Sequence, residues 1–295
     1  MQIQPSGHYI DGTAGGGGHS ALIADSLNQE GRLLCLDRDP AAIATLTARF
    51  AGRESVTVAK CNFRDMAGTA SAAGFSGADG ILLDLGVSSH QLDCRERGFS
   101  YHESAPLDMR MGDTGLTAAD LIASLDAGAL AHIIGTYGEE KFAGRIARAI
   151  KAAGEREPIE DTLRLAEIIS AAVPAAARRE GHPARRTFQA LRIAVNEELQ
   201  SLEQGLLAAF SMLNEGGRLA VISFHSLEDR IVKQFFAAQY RGCDCPPDFP
   251  ICICGKQPAA TPVTKKPVVA GADELDRNPR ARSAKLRVLQ KSQGQ

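Results

Sequence analysis

The sequence lacks the features that would direct it into a membrane or out of the cell. It has no apolar run of the roughly 18 residues that a membrane-spanning helix needs. No charged segment followed by an apolar stretch opens the chain, so a secretory signal is not expected. It also lacks a large excess of charge of one sign, since its net charge is −2. Any contact with nucleic acid must therefore come from local basic patches. These absences predict a cytoplasmic globular protein.

The cysteines do not form a disulfide framework. The chain has 7 of them, an odd and partly scattered set, which indicates reduced thiols in a reducing compartment. Two close pairs, Cys243 with Cys245 and Cys252 with Cys254, contain enough thiols for tetrahedral zinc. The C-x-C spacing is tighter than the usual gap in zinc sites, and a proline-stiffened loop with reduced thiols explains it as well. No metal is assigned to the predicted functional site.

A glycine-rich stretch near the start organises the rest of the chain. Residues 11–20 read D-G-T-A-G-G-G-G-H-S, between a short buried strand and a helical stretch. Glycine lets the backbone turn sharply and approach a ligand closely, and the helix that follows presents its positive end. The apolar run 33–36 then ends in Asp37, where nucleotide-binding α/β units hold a ribose hydroxyl. This order predicts a nucleotide-binding α/β unit.

Further strands extend the predicted sheet on both sides of a helical region. The buried run 78–86 contains Asp84, so Asp11, Asp37 and Asp84 are predicted at the same edge of the sheet. Strand 218–223 ends at Ser223, His225 follows it, and Ser226 is predicted to cap the next helix. The run 284–289 is predicted as a last edge strand.

The middle of the chain predicts an inserted helical domain. From 105 to 199 alanine, glutamate and arginine dominate and strand-like runs disappear, so the α/β domain is predicted to comprise 1–104 and 200–295. Helix 187–202 has an apolar stripe and a polar one. The polar stripe is interpreted either as a solvated face or as an RNA- or ligand-facing surface, because basic residues cluster nearby. The polar residues and the basic cluster are Arg178, Arg179, Arg185, Arg186, Gln189, Arg192 and Asn196.

The glycine loop fits two kinds of ligand. A nicotinamide-dependent oxidoreductase would use a similar loop and acid. The loop opens with Asp11, however, which suits the cationic amino-acid end of S-adenosylmethionine better than a pyrophosphate. Phe63 and Asp84 lie where a purine and a methionine tail would sit, although Phe63 alone could be a core residue and Asp84 alone a helix cap. Together they favour a methyltransferase. A non-catalytic RNA-binding assembly factor that keeps this fold is the alternative outside enzymes.

Seven motifs resemble those of the RsmH/MraW family of bacterial 16S ribosomal RNA (cytosine-N4)-methyltransferases. They are 17–20 (G-G-H-S), 36–40 (L-D-R-D-P), 83–93 (L-D-L-G-V-S-S-H-Q-L-D), 97–100 (R-G-F-S), 106–111 (P-L-D-M-R-M), 187–196 (T-F-Q-A-L-R-I-A-V-N) and 223–230 (S-F-H-S-L-E-D-R). The resemblance covers nearly the whole chain. It implies a Rossmann-like class I methyltransferase sheet with an inserted all-helical, substrate-recognition domain. It also implies methylation of a decoding-centre cytidine in the small subunit. Family members usually carry a His-x-Pro-Val-Leu segment before the first strand, and this sequence lacks it. The part of the active-site wall that this segment would form is therefore not assigned to any residue.

The resemblance also implies the site residues. It places S-adenosyl-L-methionine on Gly17, Gly18, His19, Asp37, Phe63, Asp84 and Gln91. Candidates for catalysis are Asp84 and Asp108 as hydrogen-bond acceptors, with Ser223 and His225 as contacts to the base. His225 could equally be a loop histidine bonded to nearby backbone. The expected partner is 16S rRNA within the small ribosomal subunit. The sequence is also compatible with a homodimer.

Overall fold

The chain divides into two compact units. One comprises Met1–Gly86 and Leu199–Gln295, and the other comprises Val87–Glu198. We describe a computed structural model of residues 1–175, 181–243, 245 and 254–293. Within those ranges no helix has the length and apolar character needed to cross a membrane.

The first unit is built on a seven-stranded sheet. Its strands are β1 (His8–Asp11), β2 (Arg32–Asp37), β3 (Val56–Lys60), β4 (Ala78–Asp84), β5 (Leu213–Ser223), β6 (Ala260–Pro262) and β7 (Lys285–Lys291). Its helices are α1 (Gly18–Asp25), α2 (Pro40–Arg49), α3 (Met66–Ala72), α10 (Glu198–Met212, of which the first residue falls in the other unit), α11 (Ser226–Tyr240) and α12 (Ala272–Arg277). The order across the sheet is β3-β2-β1-β4-β5-β7-β6. Strands β1 to β5 are parallel, and β7 is antiparallel to β5 and β6.

Both faces of the sheet are covered by helices. In β2, Leu33 and Cys35 pack with α1 and α2, whereas Leu34 and Leu36 pack with α3, α10 and α11. Successive side chains of a strand point to opposite faces, so an unbroken apolar run marks a strand that is buried on both sides. This is why the apolar run 33–36 forms a central strand.

The prediction that 284–289 forms the edge strand was wrong. It forms β7, which lies one position inside the edge because β6 pairs with it from Ala260 to Pro262. β6 has three residues and ends in proline. Such a segment is too short to show alternation, although a strand with proline is typical of a sheet edge.

The second unit is helical. Its helices are α4 (Ser89–Asp93), α5 (Ala118–Ser124), α6 (Ala127–Gly138), α7 (Ala143–Gly154), α8 (Thr162–Ala172) and α9 (Arg185–Asn196). Helices α5 to α9 share one apolar core, which also includes Phe99, Leu107 and Met109 from the connection between α4 and α5. Thr117 and Asp120 form a reciprocal capping box at the start of α5.

Candidate functional site

The strand order of the sheet reverses at β1, in the middle of its parallel part. From β1 the chain moves outward through β2 and β3, and it then returns to add β4 on the other side of β1. Open α/β sheets bind ligands where the strand order reverses in this way. Asp11, Asp37 and Asp84 are the last residues of β1, β2 and β4, which are parallel neighbours. Their carboxylates therefore occur at the same edge.

Asp11 is buried at the base of the glycine loop. Its Oδ2 accepts a hydrogen bond from Oγ of Ser20 at 2.6 Å, and its Oδ1 accepts one from the amide of Thr13 at 3.3 Å. Burial raises the pKa of Asp11 to about 6 even though both hydrogen bonds favour the charged form. Asp11 thus ties the two ends of the loop together.

Glycine is required at two positions of the loop by the backbone itself. Gly15 and Gly17 have φ values of 51° and 79°, which side chains rarely tolerate. A Cβ on Gly17 would also lie 3.0 Å from Cδ2 of Leu46 in α2. Around Gly16 and Gly18, by contrast, a Cβ would meet no atom of the described chain within 4 Å. The loop is therefore packed against α2 on one side and open on the other, which leaves room for a ligand to approach the backbone.

Asp37 holds the loop to the neighbouring strand. Its Oδ2 accepts a hydrogen bond from the amide of Gly15 at 2.8 Å, and its Oδ1 accepts one from the amide of Asp39 at 2.8 Å. Burial raises the pKa of Asp37 in spite of these amide hydrogen bonds. A carboxylate has about four acceptor positions, so these contacts leave capacity for a hydroxyl donor.

Asp84 has an acceptor atom that the described protein does not satisfy. Its amide donates to Oγ1 of Thr13 at 2.6 Å, and its Oδ2 lies 3.5 Å from Nε2 of His19. This hydrogen-bonding contact with Asp84 outweighs partial burial and raises the pKa of His19. The second carboxylate oxygen, Oδ1, is buried and has no hydrogen-bond partner within the described ranges. Such atoms are rare in folded proteins and indicate a missing donor.

Phe63 lies after β3, where its ring packs against Gly205 of α10. A Cβ on Gly205 would clash with the ring atoms Cδ2 and Cε2. The side chain is half-buried at the margin of the core between the sheet and α10. Core packing therefore accounts for part of its surface, and its contact with a purine stays a prediction.

The helix that follows the carboxyl end of β5 is capped by a different residue from the one predicted. The cap of α11 is His225 rather than Ser226: Nδ1 of His225 accepts from the amide of Glu228 at 3.4 Å. In return, Oε2 of Glu228 accepts from the amides of Phe224 at 2.8 Å and His225 at 3.3 Å. Nε2 of His225 lies 3.1 Å from Oε1 of Glu228, but the contact does not meet hydrogen-bond geometry, and this nitrogen has no other partner in the described protein. Ser223 is buried at the end of β5.

Two predicted site residues belong to the helical unit. Gln91 is buried in a capping box at the start of α4, where its Oε1 accepts from the amide of Ser88 at 2.9 Å. The carboxylate of Asp108 is held by the guanidinium of Arg110 at 2.7 and 2.8 Å. Partial burial works to raise the pKa of Asp108, but Arg110 outweighs it and the pKa lies below its ordinary value. Their roles toward cofactor and substrate stay predictions.

Three residues of the polar stripe of α9 make contacts within the helical unit, whereas Arg185 is exposed. The burial of Asn196 contradicts a solvated face at that position, and an RNA- or ligand-facing surface around Arg185 stays a prediction. Arg192 forms a two-bond ion pair with Glu198 at 2.8 Å, and Gln189 donates to the carbonyl of Tyr137 at 3.1 Å. Asn196 is buried between the backbones of Met109 and Met111. Arg178 and Arg179 lie outside the described residues.

A sheet of this order, parallel from β1 to β5, with its glycine loop after β1 and acids ending β1, β2 and β4, defines a class I methyltransferase, whose cofactor is S-adenosylmethionine. The MraW methylase family matches residues 1–292. The ribosomal RNA small subunit methyltransferase H of Heliobacterium modesticaldum is 56% identical over 99% of this chain and 94% of that protein. The protein of the same name from Symbiobacterium thermophilum is 55% identical over 99% of this chain and 93% of that protein. The structure of an rRNA methylase from Streptococcus thermophilus covers 99% of this chain and 90% of that chain, with 9% identity and a TM-score of 0.43.

The chain belongs to the MraW methylase family. This decides one alternative that the glycine loop left open, because the chain is a methyltransferase and not a nicotinamide-dependent oxidoreductase.

Proposed function

We propose that the protein transfers a methyl group from S-adenosylmethionine to the exocyclic N4 of a cytidine in the decoding centre of 16S ribosomal RNA, within the small ribosomal subunit. The names of its relatives specify small-subunit ribosomal RNA. The observation that carries the catalytic part is Asp84, whose buried Oδ1 lacks a donor in the described protein at the edge where this fold binds its ligands.

The chemistry explains why an acceptor is needed. When bound, the sulfonium cofactor supplies an electrophilic methyl group. The cytosine amine is a weak nucleophile because its lone pair is delocalised into the ring. It gains positive charge as it attacks and then loses a proton, so it requires an acceptor that is already in position. Oδ1 of Asp84 can accept that N–H, while Thr13 fixes the backbone of Asp84 and His19 faces its other oxygen.

The remaining site residues divide into binding and positioning roles. Gly17, Gly18, His19, Asp37, Phe63 and Gln91 would hold the cofactor, and the open space around Gly16 and Gly18 fits the close approach of a ligand to the loop. Ser223 and His225 would contact the target base, and Asp108 would supply a second acceptor. The base must leave its stack to reach the methyl group. A homodimer is part of the same proposal, and light scattering of the purified protein tests it.

Methyl transfer to small subunits purified from cells lacking the protein tests the proposal. Mass mapping of the product should locate one added methyl group on a decoding-centre cytidine, and assembled subunits should be better substrates than free 16S RNA. Asp84→Asn should lower turnover by at least about 100-fold. Asp25→Asn is the matched control, because Asp25 is an exposed acid at the end of α1 that pairs with Arg53. Wild-type protein that binds the cofactor but adds no methyl group to a decoding-centre cytidine of either substrate would contradict the proposed target.

A further inference from the structure

A cluster of thiols lies outside the methyltransferase site, in the connection between α11 and β6. The Sγ atoms of Cys243, Cys245 and Cys254 all lie within 4.8 Å of one another. Those of Cys243 and Cys254 are 3.7 Å apart, and the amide of Cys245 points to Sγ of Cys243 at 3.3 Å. Cys254 follows Cys245 by 9 positions, so the fold brings two separate parts of the connection together.

The separation of the Cys243 and Cys254 thiols excludes a disulfide and fits two thiolates on one metal ion. A disulfide holds its sulfur atoms about 2.05 Å apart. Zinc–sulfur bonds are about 2.3 Å long, so two thiolates at tetrahedral angles around one zinc ion are separated by about 3.8 Å. The 3.7 Å between Cys243 and Cys254 agrees with this value.

The protein itself holds together the two arms of this connection, of which one carries Cys243 and Cys245 and the other carries Cys254. The amide of Ala259, just before β6, donates to the carbonyl of Gln239 in the last turn of α11 at 2.9 Å. Gly242 lies so close to Pro258 that a Cβ on Gly242 would be 3.2 Å from the proline ring. The arm with Cys243 and Cys245 therefore meets the arm with Cys254 without a metal, which lowers the entropic cost of forming a site.

We propose that Cys243, Cys245 and Cys254 bind one zinc ion as thiolates and that this ion clamps the connection beside the β6 edge of the sheet. Three soft thiolate ligands select zinc over magnesium or calcium, and each thiol releases a proton on binding. Zinc completes its four-coordination with one further donor. Cys252 lies outside the described residues, and the proposal does not depend on it.

Metal analysis of untagged protein tests the site. The protein is expressed with added zinc, dialysed under reducing conditions against metal-free buffer, and measured by inductively coupled plasma mass spectrometry. One zinc ion per chain is expected in the wild type and in Cys94→Ser, whose thiol belongs to the helical unit. Cys243→Ser and Cys254→Ser should lower the zinc content by at least about tenfold. Wild-type protein that holds no zinc, or serine variants that hold as much as the wild type, would overturn the proposal.

Cobalt reconstitution of the wild type covers the case in which a serine variant does not fold. Apo-protein titrated with Co²⁺ should develop intense near-ultraviolet thiolate-to-cobalt absorption, and one equivalent of Zn²⁺ should abolish it. Titration without those bands contradicts thiolate ligation, whatever the variants do.

Discussion

The amide of Asp84 donates a hydrogen bond to Oγ1 of Thr13 across a distance of 2.6 Å. This bond joins the end of β4 to the glycine loop after β1, which are 71 positions apart in the chain. The side chain of Thr13 thereby fixes the backbone position from which the Asp84 side chain extends. The motif D-G-T therefore contributes more than flexibility, because its threonine positions the acceptor that the proposed reaction uses.

Thr13→Val should separate this positioning role from packing. Valine has nearly the same shape but cannot accept the hydrogen bond, so the Asp84 amide loses its partner at a cost of about 1–3 kcal/mol. Turnover should fall at least about tenfold while urea denaturation still shows a cooperative transition. Thr13→Ser keeps the hydroxyl and should retain most of the activity. Full activity in Thr13→Val would show that the reaction does not need the hydroxyl of Thr13.

The sequence predicted the parallel part of the sheet because its strands are buried on both faces. The apolar runs that end in Asp37 and Asp84 could not form surface strands, and the glycine loop fixed which helix follows β1. The residue pattern alone thus assigned Asp11, Asp37 and Asp84 to one edge. It did not assign their individual partners, because nothing in the sequence marks the hydroxyls of Ser20 and Thr13 as the groups that contact Asp11 and Asp84.

The errors concern contacts between distant segments. β6 gives no periodic signal in three residues, so β7 was predicted as the edge. Asn196 was assigned to an exposed or ligand-facing stripe, since the backbone groups that it satisfies lie 85 and 87 positions away. Ser226 resembles a helix cap, but His225 performs that function together with Glu228. Helical periodicity shows which side is polar, and it does not show what covers that side.

Stability should depend on the ionisation of Asp11. Its pKa in the folded protein is about 6, above the ordinary 3.8, because burial penalises the charge. The folded state therefore holds the proton more tightly than the unfolded chain, and this contribution to stability is lost as the pH rises from 3.8 through about 6. At about 1.4 kcal/mol per pKa unit the loss is about 3 kcal/mol.

Asp11→Asn removes the titrating group and tests that pH dependence. The free energy of unfolding of the wild type minus that of the variant should fall by up to about 3 kcal/mol between about pH 4 and about pH 7. Urea denaturation of both proteins across this range gives the difference, in which the other titrating groups cancel. A difference that is flat with pH would mean that Asp11 titrates in the folded protein as it does in the unfolded chain.

Asn196→Ala should destabilise the segment that carries Asp108. The amide of Met111 donates to Oδ1 of Asn196 at 2.7 Å, and Nδ2 of Asn196 donates to the carbonyl of Met109 at 2.7 Å. Met109 also has a φ of 61°, an unfavourable conformation that these bonds help to hold. Removing the side chain leaves buried backbone groups unpaired and should cost about 2 kcal/mol.

Gln189→Ala is the matched control for Asn196→Ala, on the same helix. Gln189 is half-buried, and its side chain donates to the carbonyl of Tyr137 at 3.1 Å. The loss of that hydrogen bond should cost less than about 1 kcal/mol. Chemical denaturation gives both values, and a larger effect at Gln189 would contradict the assignment of Asn196 as the main connection to Met109 and Met111.

His225→Asn should distinguish a cap from a contact to the substrate. Asparagine is among the best helix caps, so it can accept from the amide of Glu228 as Nδ1 of His225 does, and stability should stay close to that of the wild type. His225→Ala removes the cap and should cost about 1 kcal/mol. If His225 also contacts the target base, as proposed, both variants lose methyl transfer by at least about tenfold, although only the alanine variant is destabilised. Full activity in His225→Asn would restrict His225 to its capping role, because that variant keeps the helix start and lacks only the imidazole.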